Sequence, residues 1–269
     1  MAHNNRLLII GYGNMSGAML AGWLRAGVDP SHFAVLNRSP KPVPEGVVQH
    51  RDIGEAAAEG AHAAIMLGFK PHQLDETAAD FQALAAGVPV HSLLAGKTVA
   101  QLQAAYPGAS AHLRVMPNLA SAINKSPIIL LGSGLTEEQH GKATADYNKL
   151  GNAVWLKDEA QFDLATALAG SGPGFVYRFI DALAQAGANL GLTPQQASDL
   201  AIAMVDGAAS LAAHADVSPG ELADRVASPG GMTREGLNVL DADNALIELL
   251  TRTLKETRDR GAILSSGGS

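Results

Sequence analysis

Cysteine is absent from the 269 residues, which excludes a disulfide framework and any thiolate metal site. Aromatic residues are scarce, at 4%, so the interior must be filled by smaller side chains. The abundance of Gly and Ala predicts helices that approach one another closely. An excess of positive charge is also missing. The formal net charge of -7 argues against a general nucleic-acid binder, which needs a basic face to displace counterions from phosphates. It leaves room for a local basic pocket that binds one phosphate. The apolar stretch Leu7–Ile10 behind the polar first six residues is too short for a signal-peptide core or a membrane span. The expectation is a cytoplasmic protein with neither membrane nor nucleic-acid partners. The nine histidines are scattered, with no helical pair at i, i+4 and no acidic cluster, so no metal site is expected.

What is present is an ordinary globular balance, 47% apolar and 17% charged residues, in a chain long enough for two modest domains. Short apolar runs at Leu7–Gly11, Phe33–Leu36, Ala63–Leu67, Val88–Leu93, Ala111–Met116 and Ile128–Leu131 read as strands. Helical patterns lie between several of them, at Met15–Ala26, Gln73–Ala86 and Val99–Ala105. A further helix and strand, Glu137–Leu150 and Ala153–Leu156, close the series. This alternation predicts an α/β domain over residues 1–157 with a mostly parallel sheet covered on both faces. Beyond Lys157 the strand signals stop. Residues 158–269 read as all-helical, with segments at Glu159–Ala169, Phe175–Leu190, Pro194–Ala213, Pro219–Ala227, Thr233–Leu240 and Asn244–Ser265. Thr193-Pro194 and Ser218-Pro219 are helix starts. The stretch Asp181–Ala215 is so rich in Ala that each helix buries little area. A core completed by a second subunit, hence a homo-oligomer, is expected; the alternative is a monomeric bundle closed by the last helix.

The first strand runs into Gly11-Tyr12-Gly13-Asn14-Met15-Ser16-Gly17, and a helical pattern follows at once. This is nearly the dinucleotide fingerprint, with Ser16 at the third glycine position. The first glycine permits a sharp turn and the second leaves room for pyrophosphate. The helix start presents free N–H groups and positive dipole character to the anion. The second strand ends in Asn37-Arg38-Ser39, where NAD-preferring sites place an acid for the ribose hydroxyls. With no acid here and a guanidinium available for a 2′-phosphate, NADPH is the expected cofactor, NADH the alternative.

Late in the chain stands Ser228-Pro229-Gly230-Gly231-Met232-Thr233, followed by Gly236-Leu237. With Gly11–Met15, Lys70-Pro71, Ala95-Gly96, Arg114-Val115-Met116-Pro117-Asn118 and Gly170-Ser171-Gly172-Pro173 in the same order, the sequence resembles the pyrroline-5-carboxylate reductase family over nearly its whole length. The resemblance implies a Rossmann-type domain followed by an all-α dimerisation domain, with dimers that can assemble into larger rings. It implies NADPH-dependent reduction of a small-molecule substrate, L-1-pyrroline-5-carboxylate, to L-proline. Gly11, Tyr12, Gly13, Asn14, Met15, Asn37, Arg38 and Ser39 would then hold the adenosine and phosphates. Phe69, Lys70, Pro71, Ala95 and Gly96 would lie toward the nicotinamide. Ser228, Gly230, Gly231 and Thr233 would grip the substrate. On the residues alone, two adjacent glycines before a helix start make a nest for a carboxylate, with Ser228 as a further donor, but a plain capped helix turn is the preferred reading there; the other matches turn the balance to the site. The one candidate catalytic residue is Thr233, as a hydrogen bond that orients the ring nitrogen.

The chain departs from the family pattern at Leu119-Ala120, where Thr-Pro is usual, and in Ile123–Ser126, which lacks the usual Gly-Glu-Gly character. A relative acting on another cyclic imine is one alternative. A β-hydroxyacid dehydrogenase would carry a lysine on the first helix of the second domain, where this chain has Val176, and so lacks the proton donor that a developing alkoxide needs. A non-catalytic NADPH-binding regulator would keep the glycine turn and lose the late loop. Here the loop is intact.

Overall fold

The computed structural model describes residues 5–37, 39 and 41–265. Eight strands form one sheet: β1 (Leu7–Ile10), β2 (Phe33–Leu36), β3 (Val48–His50), β4 (Ala64–Leu67), β5 (Pro89–Ser92), β6 (Ala111–Met116), β7 (Ser126–Ser133) and β8 (Gly151–Trp155). Their order is β3-β2-β1-β4-β5-β6-β7-β8. Every neighbouring pair is parallel except β6–β7. The order reverses beside β1, which lies between β2 and β4, with Leu7 in register with both Phe33 and Ala64. In such sheets ligands bind outside the carboxyl ends of the strands at the reversal.

The strands at this centre are continuous apolar runs because both faces are covered. Leu8, Ile10, Ile65 and Leu67 enter one core, with Leu74, Leu84 and Leu102 from α3 (Leu74–Ala85) and α4 (Val99–Ala105). Ile9 and Met66 point to the other side. There they meet Met19, Leu20 and Trp23 of α1 (Asn14–Arg25) and Tyr147 of α5 (Glu137–Asn148). Thr98 and Thr136 start α4 and α5 as N-caps, in boxes with Gln101 and Gln139.

Two elements escape the periodicity. The three-residue strand β3 is recognisable only from its pairing with β2. The six-residue helix α2 (Ile53–Ala58) is held at its start by the Asp52 side chain, which accepts from the Glu55 amide. The chain divides into two compact units, Met1–Ser171 with Thr257–Ser269, and Gly172–Glu256. The division between compact units falls at 171/172, so residues 158–171 keep to the unit that holds the sheet. Phe162 is the reason, because it is buried in a cluster with Ile129 and Leu131 of β7 and ties the following turns to the sheet. The helix expected over Glu159–Ala169 is broken into a 3₁₀ turn (Glu159–Gln161), α6 (Phe162–Ala165) and a π-turn (Thr166–Gly170).

The second unit contains α7 (Gly172–Asn189), α8 (Pro194–His214), α9 (Pro219–Val226), α10 (Met232–Asp241) and α11 (Ala245–Ser265) as far as Glu256. Thr193 and Ser218 cap α8 and α9 by accepting from the Gln196 and Glu221 amides, with Pro at the first helical position. α7 lies against α8 at Gly187, where a Cβ would stand in van der Waals contact with the Ala197 Cβ at 3.4 Å. Few large side chains are covered. Tyr177, Leu211, Val239 and Ile247 are all at least 66% exposed. Among the described residues no helix is long and apolar enough to cross a membrane.

Candidate active site

A cleft of about 910 Å³ opens at the carboxyl ends of β1, β2, β4 and β5. The structure brings Gly11, Tyr12, Gly13, Asn14, Met15, Asn37, Phe69, Lys70, Pro71 and Ala95 together on its walls. Gly11 has φ +94, and a Cβ there would meet the Phe69 amide nitrogen at 2.7 Å. The first turn is therefore pressed onto the loop after β4, where the Gly68 amide donates to the Ile10 carbonyl at 2.8 Å. Gly13 is the N-cap of α1, and the nearest atom to a Cβ there would be the Gly68 oxygen at 3.8 Å. Backbone approach to a ligand is thus unobstructed.

Ser16, at the third glycine position, is buried and staples the turn. Its hydroxyl accepts from the Gly13 amide at 3.0 Å and donates to the Gly11 carbonyl at 2.8 Å. Helix geometry leaves the first-turn amides from Asn14 onward without intrahelical acceptors. No acidic side chain stands in that turn. An anion placed there meets free donors and the positive end of a three-turn helix.

Asn37 Oδ1 accepts from the Tyr12 amide at 3.3 Å, and its Nδ2 donates to the Ser39 carbonyl. Ser39 is exposed and is not among the cleft-lining residues. Arg38 lies outside the described residues. Two cations that sequence reasoning missed do line this end of the cleft, Lys41 and Arg51. Lys41 Nζ donates to the Tyr12 carbonyl at 3.3 Å. Neither cation sits in a recognisable spacing; Arg51 reaches the cleft only because β3 joins the sheet. Asp52 also lines the cleft, but its Oδ1 already accepts from Glu55.

Toward the other end, Phe69 stacks on Phe81 with centroids 6.1 Å apart, and Lys70 donates its amide to Gln73 Oε1 at 3.0 Å. Gly96, at φ +75, turns the chain after Ala95 without itself lining the cleft. The helix that follows is anchored from outside: Glu159 Oε2 accepts from the Val99 amide at 3.1 Å. Its other oxygen pairs with buried Arg114, whose guanidinium lies 3.5 Å from the centroid of the Phe162 ring. Burial lowers the Arg114 pKa, and Glu159 works against that shift.

The late glycine loop belongs to the second unit. Gly230 has φ +69, and the Gly231 amide donates to the Ser228 carbonyl at 2.9 Å. Gly231, not Thr233, is the N-cap of α10, and no side chain caps it. Thr233 lies in the first turn. Ser228, Gly230 and Thr233 are exposed. Arg234 fastens the loop from behind, donating to Asp224 Oδ1 at 2.8 Å.

Residues 159–264 match the family model described as pyrroline-5-carboxylate reductase dimerisation. Residues 6–96 match that of an NADP oxidoreductase, coenzyme F420-dependent. The chain is 30% identical to pyrroline-5-carboxylate reductase 2 of Bacillus subtilis, over 94% of this chain and 92% of that one. The chain belongs to the pyrroline-5-carboxylate reductase family. Its similarity to the family's Pseudomonas aeruginosa enzyme, 30% identity over 97% of both chains, agrees. So does the solved pyrroline-5-carboxylate reductase of Coxiella burnetii, at TM-score 0.89 and 30% identity over 96% of this chain and 97% of that one.

Of the residues that depart from the family pattern, Asn124 and Ser126 have structural partners, and the matching Asn118 is bound to one of them. Asn118 caps the 3₁₀ turn Leu119–Ile123. It donates its amide to Ser126 Oγ at 2.9 Å and its Nδ2 to the Ala169 carbonyl at 3.0 Å. Leu119 is 59% exposed and stands on the cleft wall. Asn124, in the left-handed region, donates to the Gly22 and Lys149 carbonyls at 2.8 and 2.7 Å.

Proposed function

We propose that the protein reduces the C=N bond of L-1-pyrroline-5-carboxylate to L-proline with NADPH, as a cytoplasmic enzyme of proline synthesis. The family relationship along the whole chain carries this reading, and the glycine-walled cleft at the sheet's reversal point supports it. Gly11, Gly13 and the first-turn amides of α1 would hold the pyrophosphate. Lys41 and Arg51, with Arg38, would receive the 2′-phosphate, which favours NADPH over NADH. Phe69, Lys70, Pro71 and Ala95 would lie along the nicotinamide half. The bound cofactor supplies the hydride, which becomes the new C–H bond at the imine carbon.

The protein's own share is positioning. The imine arrives protonated, so its nitrogen takes the π electrons without needing a side-chain acid. The Ser228 hydroxyl and the Gly230 amide would take the substrate carboxylate at the start of α10, where Gly231, its amide already given to the Ser228 carbonyl, shapes the turn without a side chain in the way. Thr233 would direct the ring nitrogen. Aligning two reactants accounts for most of such a rate enhancement. The strand-rich half binds the cofactor. The helical half dimerises through its exposed apolar side chains, and the dimers assemble into a larger ring.

The test is NADPH oxidation on adding pyrroline-5-carboxylate. Turnover is expected, with NADH a poorer donor. Thr233→Ala is expected to lower kcat about 10-fold or more with NADPH affinity unchanged. NADPH binding without turnover in the unaltered protein would overturn the enzyme reading in favour of a regulator. An unchanged rate in Thr233→Ala would remove that residue from the mechanism.

A further inference from the structure

A second cavity, of about 280 Å³, lies at the opposite end of the sheet, where β1, β2, β4 and β5 begin. It shares no lining residue with the cofactor cleft. Its apolar wall is aromatic. Trp23 stacks on Phe33 with centroids 5.4 Å apart, and Tyr147 closes the corner 6.0 Å from Trp23. Its charged residues come from α5 and the residue just after it, as Lys142, Asp146 and Lys149.

Two features distinguish this space from a packing defect, which would be lined by apolar groups alone. The first is the charge balance. Both lysines donate to one carboxylate, Lys142 to Asp146 Oδ2 and Lys149 to Oδ1, each at 2.9 Å. Burial works against the Asp146 charge, but the hydrogen bonds from Lys149 and Lys142 outweigh it and keep the pKa below the usual carboxylate range. Two ammonium groups against one carboxylate leave one positive charge without a counterpart.

The second is His91, which lines the cavity. Its Nδ1 lies 2.8 Å from the Tyr147 hydroxyl, which has no other partner among the described residues. Burial holds the Tyr147 pKa high, so the hydroxyl keeps its proton. Burial also lowers the His91 pKa to about 4, so the ring is neutral near pH 7. A hydroxyl that donates to Nδ1 fixes the tautomer with the proton on Nε2. That N–H has no acceptor among the described residues. His91 is half-buried, so this N–H is open to a ligand that enters the cavity.

We propose that this cavity is a second small-molecule site, for a monocarboxylate with a compact aromatic or branched aliphatic body. The body rests on Trp23 and Phe33. The carboxylate meets the uncompensated lysine charge and the His91 Nε2 donor. The site is independent of how the cofactor cleft is used, and it stands or falls separately from the reductase reading.

Benzoate is the probe, added to the isotope-labelled full chain, with the two indole N–H resonances as readout. The Trp23 indole donates to the Asp146 carbonyl at 2.8 Å beside the cavity. The Trp155 indole donates to Thr144 Oγ1, and its residue is not among the lining residues. A saturable shift of the Trp23 signal is expected, with Trp155 unmoved and no competition from NADP⁺. Benzamide, of the same shape without the charge, should bind about 10-fold more weakly, and the surface variant Lys142→Gln with Lys149→Gln should lose benzoate affinity by a similar factor. No saturable shift, equal binding of benzamide, an undiminished affinity in the lysine variant, or displacement by NADP⁺ would each overturn the proposal.

Discussion

Gly11 and Gly230 both hold a positive φ, +94 and +69, in the two loops that resemblance assigns to cofactor and substrate. They hold it for different reasons. At Gly11 a Cβ would strike the backbone of the loop after β4, whereas at Gly230 nothing lies within 4 Å. The first loop is locked between two strands of a sheet buried on both faces. The second is exposed, tied down from behind by Arg234, and followed by Met232 at 94% exposure. A cofactor site can therefore be complete within one compact unit. The late loop has few neighbours of its own, with nothing within 4 Å of a Cβ at Gly230.

That contrast is most sharply tested by Gly11→Ala. Overpacking against backbone and the strained φ together should cost about 4 kcal/mol and abolish NADPH binding, read by denaturant unfolding and cofactor titration. A stable variant would mean that the turn can move and the site is less preformed than its contacts imply. Breaking the anchor behind the Ala95–Gly96 loop comes next. Glu159→Leu strands the buried Arg114 guanidinium and should cost about 3 kcal/mol, with a raised KM for NADPH and a smaller change in kcat.

The sheet side also carries a pH signature that the exposed loop lacks. His91 is held neutral by burial, its pKa lowered from 6.5 to about 4, with Asp146 and Lys142 acting in opposite directions. As pH falls below about 6.5 the unfolded chain binds a proton that the fold resists. Stability should therefore drop by up to about 3 kcal/mol between pH 6.5 and 4. His91→Gln should flatten that part of the profile. Smaller still, Ser16→Ala removes two hydrogen bonds inside the glycine turn and should cost about 1–2 kcal/mol. Gly230→Ala pays only for its backbone conformation, about 1 kcal/mol. A cost there as large as at Gly11 would show that the late loop is packed, and would erase the difference between the regions.

Much of this was legible in the residues. Phe33–Leu36, Ala111–Met116 and Val99–Ala105 coincide with their observed bounds, because a continuous apolar run, an alternating one and a Thr cap are strong local signals. The ten cleft residues read from the glycine turn and the loops after β2, β4 and β5 line one cleft. What was not legible depends on pairing across the chain. Three-residue β3 has no periodicity to read, and with it went Arg51 and Asp52. Lys41 carries no motif. The helix expected from Thr233 begins one residue earlier, at Met232, with Gly231 as its cap, since in a glycine pair backbone conformation rather than side-chain chemistry sets the helix start.

Local order was written in the sequence: the alternation of strand and helix, the turn at Gly11–Met15, the capping residues and the family motifs all follow from short-range sterics and hydrogen bonding. Tertiary structure alone decided which distant residues share a wall. The boundary at 171/172 followed the burial of Phe162 against β7. The charge of Lys41 and Arg51 was gathered at one end of the cleft, and His91 was left with one nitrogen satisfied. Those outcomes rest on packing between segments far apart in the chain, and no local pattern encodes them.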